Sequence, residues 1–179
     1  MIYTENLEST RLYTKFLQLE DAKDWEPFFE NEDSVRYLFL DNSTNSSEKA
    51  KTWIQKQLDR YKLNQFGLQW IISKETNQKV GMVGLLLQEV ESLPKIEIGY
   101  HLLPQFRGQG YATEAARMFK DFAFDVLSYD EIISIIHPGN YNSQKVALNN
   151  GMKHVSNAQF RNIEVYIFKI TREQWKRGY

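Results

Sequence analysis

The sequence contains no cysteine, which excludes disulfide bonds, thiolate-bound metal ions and a cysteine nucleophile. Histidine is scarce too: His101, His137 and His154 are scattered along the chain and do not predict a histidine-rich metal centre. No apolar stretch has the length of a membrane-spanning helix or of a secretory signal, and the apolar runs that occur are strand-sized. These absences predict a metal-independent, cytoplasmic protein.

An excess of one charge is also lacking. Lys and Arg total 22 against 23 Asp and Glu, a net charge of -1, so electrostatics gives no reason to expect nucleic acid or an anionic membrane as partner. The 179 residues are 42% hydrophobic and 14% aromatic, which suits a packed core. Because no repeat or Pro/Gly-rich linker divides the chain, we expect a single domain over residues 1–179.

The hydrophobic pattern predicts a strand, two helices, several antiparallel strands, and then strand, helix, strand, helix and strand. The expected strands cover residues 11–19, 67–74, 80–90, 95–103, 131–137 and 165–170. The expected helices cover 20–29, 48–63 and 111–127, with a short one from 143 that ends at a left-handed cap, Gly151. This order is typical of an α+β, or mixed-sheet α/β, arrangement.

The most informative stretch is Gln105–Ala112 (QFRGQGYA), between an expected strand and an expected helix. Gly108 and Gly110 allow a tight bend and a close approach of ligand to backbone, and the helix N-terminus directs free amides to the same place. Arg107 adds a positive charge. The pattern predicts a seat for a pyrophosphate, although a glycine pair alone is equally compatible with a plain loop-to-helix turn.

Two other nucleotide-binding motifs fit this stretch poorly. A P-loop ends in Gly-Lys-Ser/Thr, whereas this segment ends in Gly-Tyr-Ala. A dinucleotide fingerprint needs a third glycine where Thr113 stands and an acidic residue at the end of the next strand, where His137 and Pro138 stand. A nucleotide-binding oxidoreductase is therefore disfavoured.

Gln105-x-x-Gly108-x-Gly110 resembles the Q/R-x-x-G-x-G/A acetyl-CoA motif of GNAT-superfamily N-acetyltransferases. Three further stretches resemble the RimJ/RimL-type (ribosomal-protein-alanine N-acetyltransferase-like) branch, in the family's order: STRLYTKFLQLEDA from Ser9, HPGNYNSQKVALNNGM from His137, and YIFKITREQW from Tyr166. The resemblance spans almost the whole chain. It implies a GNAT fold, a central, mostly antiparallel mixed sheet of about six to seven strands flanked by about four helices.

The resemblance also implies a function and a set of binding residues. An acetyl group would pass directly from acetyl-CoA to a primary amine, of a protein N-terminus or a small molecule, in a ternary complex. The alternative is a catalytically silent GNAT-fold module that binds CoA or regulates. The residues assigned to CoA binding are His101, Leu102, Leu103, Gln105, Arg107, Gly108, Gln109, Gly110, Tyr111, Ala112, Asn140 and Ser143.

Within this set, the backbone amides from Arg107 to Ala112 would hold the pyrophosphate, and the backbone of 101–103 would pair with the pantetheine arm. Asn140 and Ser143 would lie near the pantetheine and the thioester, although without the resemblance each reads as a turn or capping residue.

Acetyl transfer needs a neutral amine, a group that removes its proton, and a group that protonates the departing thiolate. We predict Glu97 as the base, at a position where some GNAT enzymes carry a catalytic glutamate and on the strand face opposite Ile96 and Ile98. The alternative is a surface glutamate. His101 and His137 are lesser candidates.

The sequence departs from the family at the acid. Many GNAT enzymes carry a tyrosine seven residues after the position of Asn140, where this chain has Ala147. Ser143 or a bound water then becomes the candidate acid, with Tyr141 and Tyr100 as further possibilities. On the acceptor side we predict that Tyr37, Phe39 and the polar loop 41–47 line the substrate site. The identity of the amine stays open, and so does the choice between monomer and homodimer.

Overall fold

Seven strands form one mixed sheet in this computed structural model, which describes residues 3–38 and 44–178. The strands are β1 (Leu12–Lys15), β2 (Leu68–Ser73), β3 (Lys79–Val90), β4 (Leu93–Leu102), β5 (Glu131–Ile136), β6 (Lys153–Phe160) and β7 (Ile163–Thr171). The helices are α1 (Ala22–Glu30), α2 (Glu32–Val35), α3 (Ser46–Lys62), α4 (Tyr111–Asp125), α5 (Tyr141–Asn149) and α6 (Arg172–Lys176). Short 3-10 turns cover Leu19–Asp21 and Pro104–Phe106.

The strand order is β1-β2-β3-β4-β5-β7-β6, and every neighbouring pair is antiparallel except β4 and β5. Those two parallel strands are in register only at Glu97 and Ile133. Because β4 continues to Leu102 and β5 to Ile136, the strands diverge beyond this pair and leave a wedge-shaped opening in the sheet.

Helices cover both faces of the sheet, and alternate residues of each strand pack against the helices on opposite faces. Helix α4 packs on one face, where Ile96 and Ile98 of β4 join its buried alanines and phenylalanines in one apolar cluster. Helices α1 and α3 cover the other face, where a second cluster includes Trp25, Trp70 and Leu86. Glu97 is opposite Leu86 in the β3–β4 register, so its side chain lies on the α1/α3 face.

The predicted fold class is confirmed, with differences in detail. The first strand covers only Leu12–Lys15 of the expected 11–19, because the chain turns at Gln18, whose amide donates to Asp21 Oδ2 at 2.7 Å and opens the 3-10 turn. Three elements were not predicted. They are α2 and α6, of four and five residues, and β6, an edge strand whose side chains are mostly exposed and polar.

Gly151 caps α5 as predicted. Its φ is 80°, its amide donates to Leu148 O at 2.9 Å, and the Met152 amide donates to Ala147 O at 3.1 Å. These are the two hydrogen bonds of a Schellman motif, in which a left-handed glycine satisfies the last carbonyls of the helix. Across residues 3–38 and 44–178, no helix combines the length and apolar character needed to cross a membrane.

Candidate active site

The turn between β4 and α4 presents a row of free backbone amides. Gly108 has φ 75° and Gly110 has φ 82°, a left-handed backbone that glycine adopts without strain, and Gly110 is the N-cap of α4. Among the described residues, none accepts a hydrogen bond from any backbone amide between Gly108 and Thr113. Six such groups beside a helix N-terminus form a concentrated anion-binding surface.

Arg11, in the loop before β1, holds this turn in place through three contacts. Its Nη1 donates to Gln109 O at 3.1 Å, its Nε lies 2.6 Å from Glu114 Oε2 on α4, and its guanidinium lies 4.5 Å from the ring centre of Tyr111. Glu114 also accepts from Ser9 Oγ and from the Arg11 amide, each at 2.8 Å. The motif at Ser9 therefore has a physical role: it fixes the amide-rich turn against α4.

The Arg107 side chain points towards α2. Its Nη1 lies 3.2 Å from Asn31 Oδ1, and its Nη2 donates to Ser34 Oγ and, at 3.4 Å, to Leu102 O. Its own amide donates to Pro104 O at 3.3 Å. Arg107 thus ties the turn to α2, and the anion-binding surface is made of backbone amides from Gly108 onward.

The other residues predicted to bind CoA lie around the same turn. Gln109 Nε2 donates to Gln105 O at 3.0 Å and closes the loop on itself, while Ala112 lies in the first turn of α4. Leu102 is the last residue of β4. Leu103 is buried in the α1/α3 cluster, and its amide donates to Val80 O at 3.0 Å.

Glu97 lies at the point where β4 and β5 separate. Gln88 Nε2 donates to Glu97 Oε2 at 2.7 Å, and the Ile135 amide lies 3.4 Å from Glu97 Oε1. The Glu97 carboxylate of β4 therefore accepts a hydrogen bond from a backbone amide of β5, beyond the point where the two strands pair. Burial raises the pKa of Glu97, and the two hydrogen bonds and the charges of Arg60 and Arg161 oppose that shift only in part.

His101 lies on the same face as Glu97 and packs edge-on against aromatic rings. Its ring centre is 5.0 Å from that of Trp53 and 5.8 Å from that of Phe28. Desolvation by burial lowers the pKa of His101 to about 4, so the imidazole is neutral near pH 7. Trp25, Phe28 and Phe29 of α1 are buried in the cluster on this face.

Tyr37 connects the segment after α2 to the end of β5. Its ring stacks on His137 with centres 4.9 Å apart, and its Oη donates to Gly139 O at 2.8 Å. His137 Nδ1 in turn accepts from the Gly139 amide at 3.0 Å. Phe39 lies outside the described residues, as do residues 41–43 of the predicted loop.

Asn140 and Ser143 start α5 beside the opening. Asn140 Oδ1 accepts from the Ser143 amide at 3.1 Å, which is an N-cap, and Tyr100 Oη donates to Ser143 O at 2.8 Å. Burial raises the pKa of Tyr100. Ala147 is 1% exposed within the core and Tyr141, the first residue of α5, is 76% exposed, whereas Tyr100 is hydrogen-bonded to the first turn of this helix.

The site therefore brings the amide-rich turn, the strand opening and Glu97 together along β4. The acetyltransferase (GNAT) domain family matches this chain over residues 2–153. The chain belongs to the GNAT acetyltransferase family. In the part of the chain that the structure describes, no group of three or more histidine or carboxylate side chains could hold a metal ion.

Individual relatives and solved structures are consistent with membership of this family. An uncharacterized N-acetyltransferase p20 from Bacillus licheniformis is 27% identical over 177 residues, covering 96% of this chain and 98% of the relative. An acetyltransferase from Agrobacterium tumefaciens has the same fold at 21% identity, with a TM-score of 0.78 and coverage of 95% and 96%. RimL, a ribosomal L7/L12 alpha-N-protein acetyltransferase solved with coenzyme A, gives a TM-score of 0.76 at 14% identity, with coverage of 94% and 98%.

Several residues of this GNAT site were not predicted from the sequence. They are Arg11 behind the turn, Gln88 and Trp53 beside the two predicted β4 residues, and the cations Arg60 and Arg161 near Glu97. Only Arg11 belongs to a stretch that the family resemblance contained. The others reach the site through strand register and helix packing, which no local pattern signals.

Proposed function

We propose that this GNAT acetyltransferase transfers an acetyl group directly from acetyl-CoA to a primary amine in a ternary complex. The observation that carries the proposal is the row of unpaired amides from Gly108 to Thr113 beside the strand opening at Glu97. Acetyl-CoA supplies an activated thioester. The residues of the chain supply binding, orientation and proton transfer.

The turn fits the pyrophosphate of CoA because the left-handed Gly108 and Gly110 leave the amides unshielded by side chains. The part of β4 beyond Ile98, whose carbonyl accepts from Ser134 Oγ at 3.1 Å, has no strand partner on its β5 side. Apart from the Leu103 amide and the Leu102 carbonyl, which have partners, the backbone at 101–103 can pair there with an extended arm such as pantetheine. Arg107 acts through its side chain as a link to α2.

Glu97 removes the proton from the amine, directly or through one water. Burial holds the pKa of Glu97 above the usual range of a carboxyl group, which brings its basicity closer to that required near neutral pH. The donors Gln88 and Ile135 fix the carboxylate in place. As the N–C bond forms and the C–S bond breaks, the amine proton passes to Glu97.

The departing thiolate takes a proton at the start of α5. Ser143 is the proposed donor; its hydroxyl relays the proton from a solvent water and is restored in the same step. Tyr100 is the phenol next to it through the hydrogen bond to Ser143 O. Asn140 holds this helix start in position through its N-cap bond. Tyr37 lines the acceptor side, because it is tied to the loop that follows β5. The other predicted acceptor residue, Phe39, lies outside the described residues.

We assign the chain to the RimJ/RimL-type branch on its Ser9, His137 and Tyr166 stretches, with the RimL structure as a supporting likeness in fold. The first of these stretches gains support from the Arg11–Glu114 ion pair at the turn. A protein N-terminus and a small-molecule amine are both acceptors that this assignment allows.

The test is isothermal titration of the purified protein with acetyl-CoA, with NADH and ATP as controls, followed by release of CoA in the presence of amines. We expect saturable binding of acetyl-CoA alone and amine-dependent release of CoA. Binding without release for any amine would favour the silent CoA-binding module. Absence of acetyl-CoA binding would refute the assignment of the turn.

A further inference from the structure

Ser134 is a buried polar residue in a strand that is otherwise apolar after its first position. Strand β5 reads EIISII, and Ser134 is 2% exposed. A buried hydroxyl costs free energy unless it is hydrogen-bonded. Its Oγ donates to Ile98 O of β4 at 3.1 Å, close to the point where the two strands separate. Ser134 has no part in the acetyl transfer proposed above, so this contact needs an explanation of its own.

The register of β4 and β5 identifies the hydrogen bond that strand separation removes. In a parallel pair the bonds follow one another at regular spacing, so the pair Glu97 and Ile133 would be followed by a bond from the Ile135 amide to Ile98 O. The registered pairing stops before that step. Both groups have side-chain partners instead: the Ile135 amide lies 3.4 Å from Glu97 Oε1, and Ile98 O accepts from Ser134 Oγ.

These two substitute bonds depend on each other. Backbone groups left unpaired inside a protein are costly, so the strands separate here because both groups have other partners. Without the Ser134 hydroxyl, Ile98 O would be free to accept from the Ile135 amide. That bond would extend the pairing of β4 and β5 by one step and take a donor away from the Glu97 carboxylate.

We propose that Ser134 is a positioning residue for Glu97: its hydroxyl occupies Ile98 O and thereby keeps the Ile135 amide on the Glu97 carboxylate. Gln88 Nε2 holds the other carboxylate oxygen at 2.7 Å, so the two donors together fix the orientation of the carboxyl group. The inference rests on the proposed function in that Glu97 is the base. The exchange of hydrogen-bond partners does not depend on catalysis.

The other ionisable groups around Glu97 keep a constant charge near neutral pH. The charges of Arg60 on α3 and Arg161 in the turn between β6 and β7 act on Glu97, and Glu97 acts on Tyr100 of β4. Arginine stays protonated in proteins, and burial raises the pKa of Tyr100. Burial lowers the pKa of His101, on the same face, to about 4. A titration near neutral pH that Glu97→Gln abolishes is therefore that of Glu97.

The first test follows the Ile135 amide by NMR as pH is varied, with isotope-labelled protein and no substrate. We expect the amide proton shift of the wild type to follow the ionisation of Glu97, because the amide donates to that carboxylate, and Glu97→Gln to abolish the dependence. Ser134→Ala should reduce the pH-dependent shift at least about twofold, because the amide moves to Ile98 O. Ser134→Thr keeps the hydroxyl and should keep the dependence.

The second test is the pH–rate profile of acetyl transfer. Ser134→Ala should lower kcat about tenfold with little change in KM for acetyl-CoA, and should move the acid limb to higher pH, because a carboxylate that loses a donor has a raised pKa. The matched control is Ser73→Ala. Ser73 is also 2% exposed, its Oγ accepts from the Thr76 amide at 3.3 Å, and it lies on β2, two strands from β4. This variant should show neither effect.

An Ile135 amide that titrates in Ser134→Ala as it does in the wild type would refute the positioning role. A loss of kcat that leaves the pH–rate profile unshifted would also refute it, because general destabilisation has that effect. If acetyl-CoA binds but no amine releases CoA, the proposed function fails and the catalytic part of this inference with it. The NMR titration still decides in that case whether Ser134 controls the partner of the Ile135 amide.

Discussion

Replacement of Gly110 by valine tests the amide-rich turn most directly. Gly110 has φ 82°, and an added Cβ would lie 3.4 Å from Arg11 Nη2, so the branches of a valine would press on the guanidinium that braces Gln109 O. A left-handed residue with a side chain costs about 1–2 kcal/mol, and a β-branched one costs at least that. In a domain of this size ~1 kcal/mol corresponds to about 2–4 °C, so Tm should fall by at least 2–4 °C.

Ligand linkage separates this strain from the loss of the binding site. Acetyl-CoA at 100 times its Kd should stabilise the native protein by about 2.7 kcal/mol, a rise in Tm of roughly 5–10 °C. We expect Gly110→Val to lose that rise, because the substitution disturbs the amides from Gly108 to Thr113 that have no other partner in the described chain. The assay is thermal unfolding with and without acetyl-CoA.

Gly178→Val is the matched control. Gly178 has φ 75° with nothing within 4 Å of an added Cβ, and it lies after α6, away from the turn. This variant carries a similar backbone strain and should keep the full acetyl-CoA shift. If Gly110→Val unfolds at a lower temperature yet keeps the full shift, the turn is structural only and the reasoning from its free amides is wrong.

Three further substitutions test other contacts. Glu97→Gln should lower kcat at least about 100-fold with unchanged acetyl-CoA affinity. In the wild type the rate should fall as falling pH protonates Glu97, and the variant should lack this fall. A near-normal pH–rate profile in the variant would show that Glu97 is not the base. His101 has a pKa of about 4 in the fold against 6.5 for the free side chain, so between these values the unfolded chain binds a proton that the folded chain does not, and stability falls as pH falls. His101→Phe should therefore remove about 2 kcal/mol of the destabilisation between pH 7.5 and pH 5, measured by urea unfolding, and an unchanged pH dependence would contradict this. Glu114→Gln replaces an acceptor for Ser9 and Arg11 with an amide and should cost about 1–3 kcal/mol in the free energy of unfolding; no change would show that the brace is dispensable.

The turn and the face of Glu97 were accessible from the sequence because both depend on local chemistry. Left-handed backbone at Gly108 and Gly110 is a property of glycine, and the period of two along a strand separates Glu97 from Ile96 and Ile98 wherever the strand lies. The cap at Gly151 follows from the same local rule.

The elements that the sequence did not signal depend on tertiary packing. Strand β6 is an edge strand with polar, exposed side chains, so it has no alternating apolar pattern, and α2 is a single short turn. Gln88 reaches Glu97 only because β3 and β4 pair through a tight turn at Glu91 and Ser92, both left-handed and neither glycine. Register of this kind is set by pairing across the hairpin, which a reading of single segments does not give.

The positive charges beside the amide-rich turn have partners within the fold. Arg11 is held by Glu114 and Arg107 by Asn31 and Ser34, so these cations shape the turn and leave its backbone amides as the proposed binding groups. A backbone seat recognises any phosphate and suits a ligand common to the family.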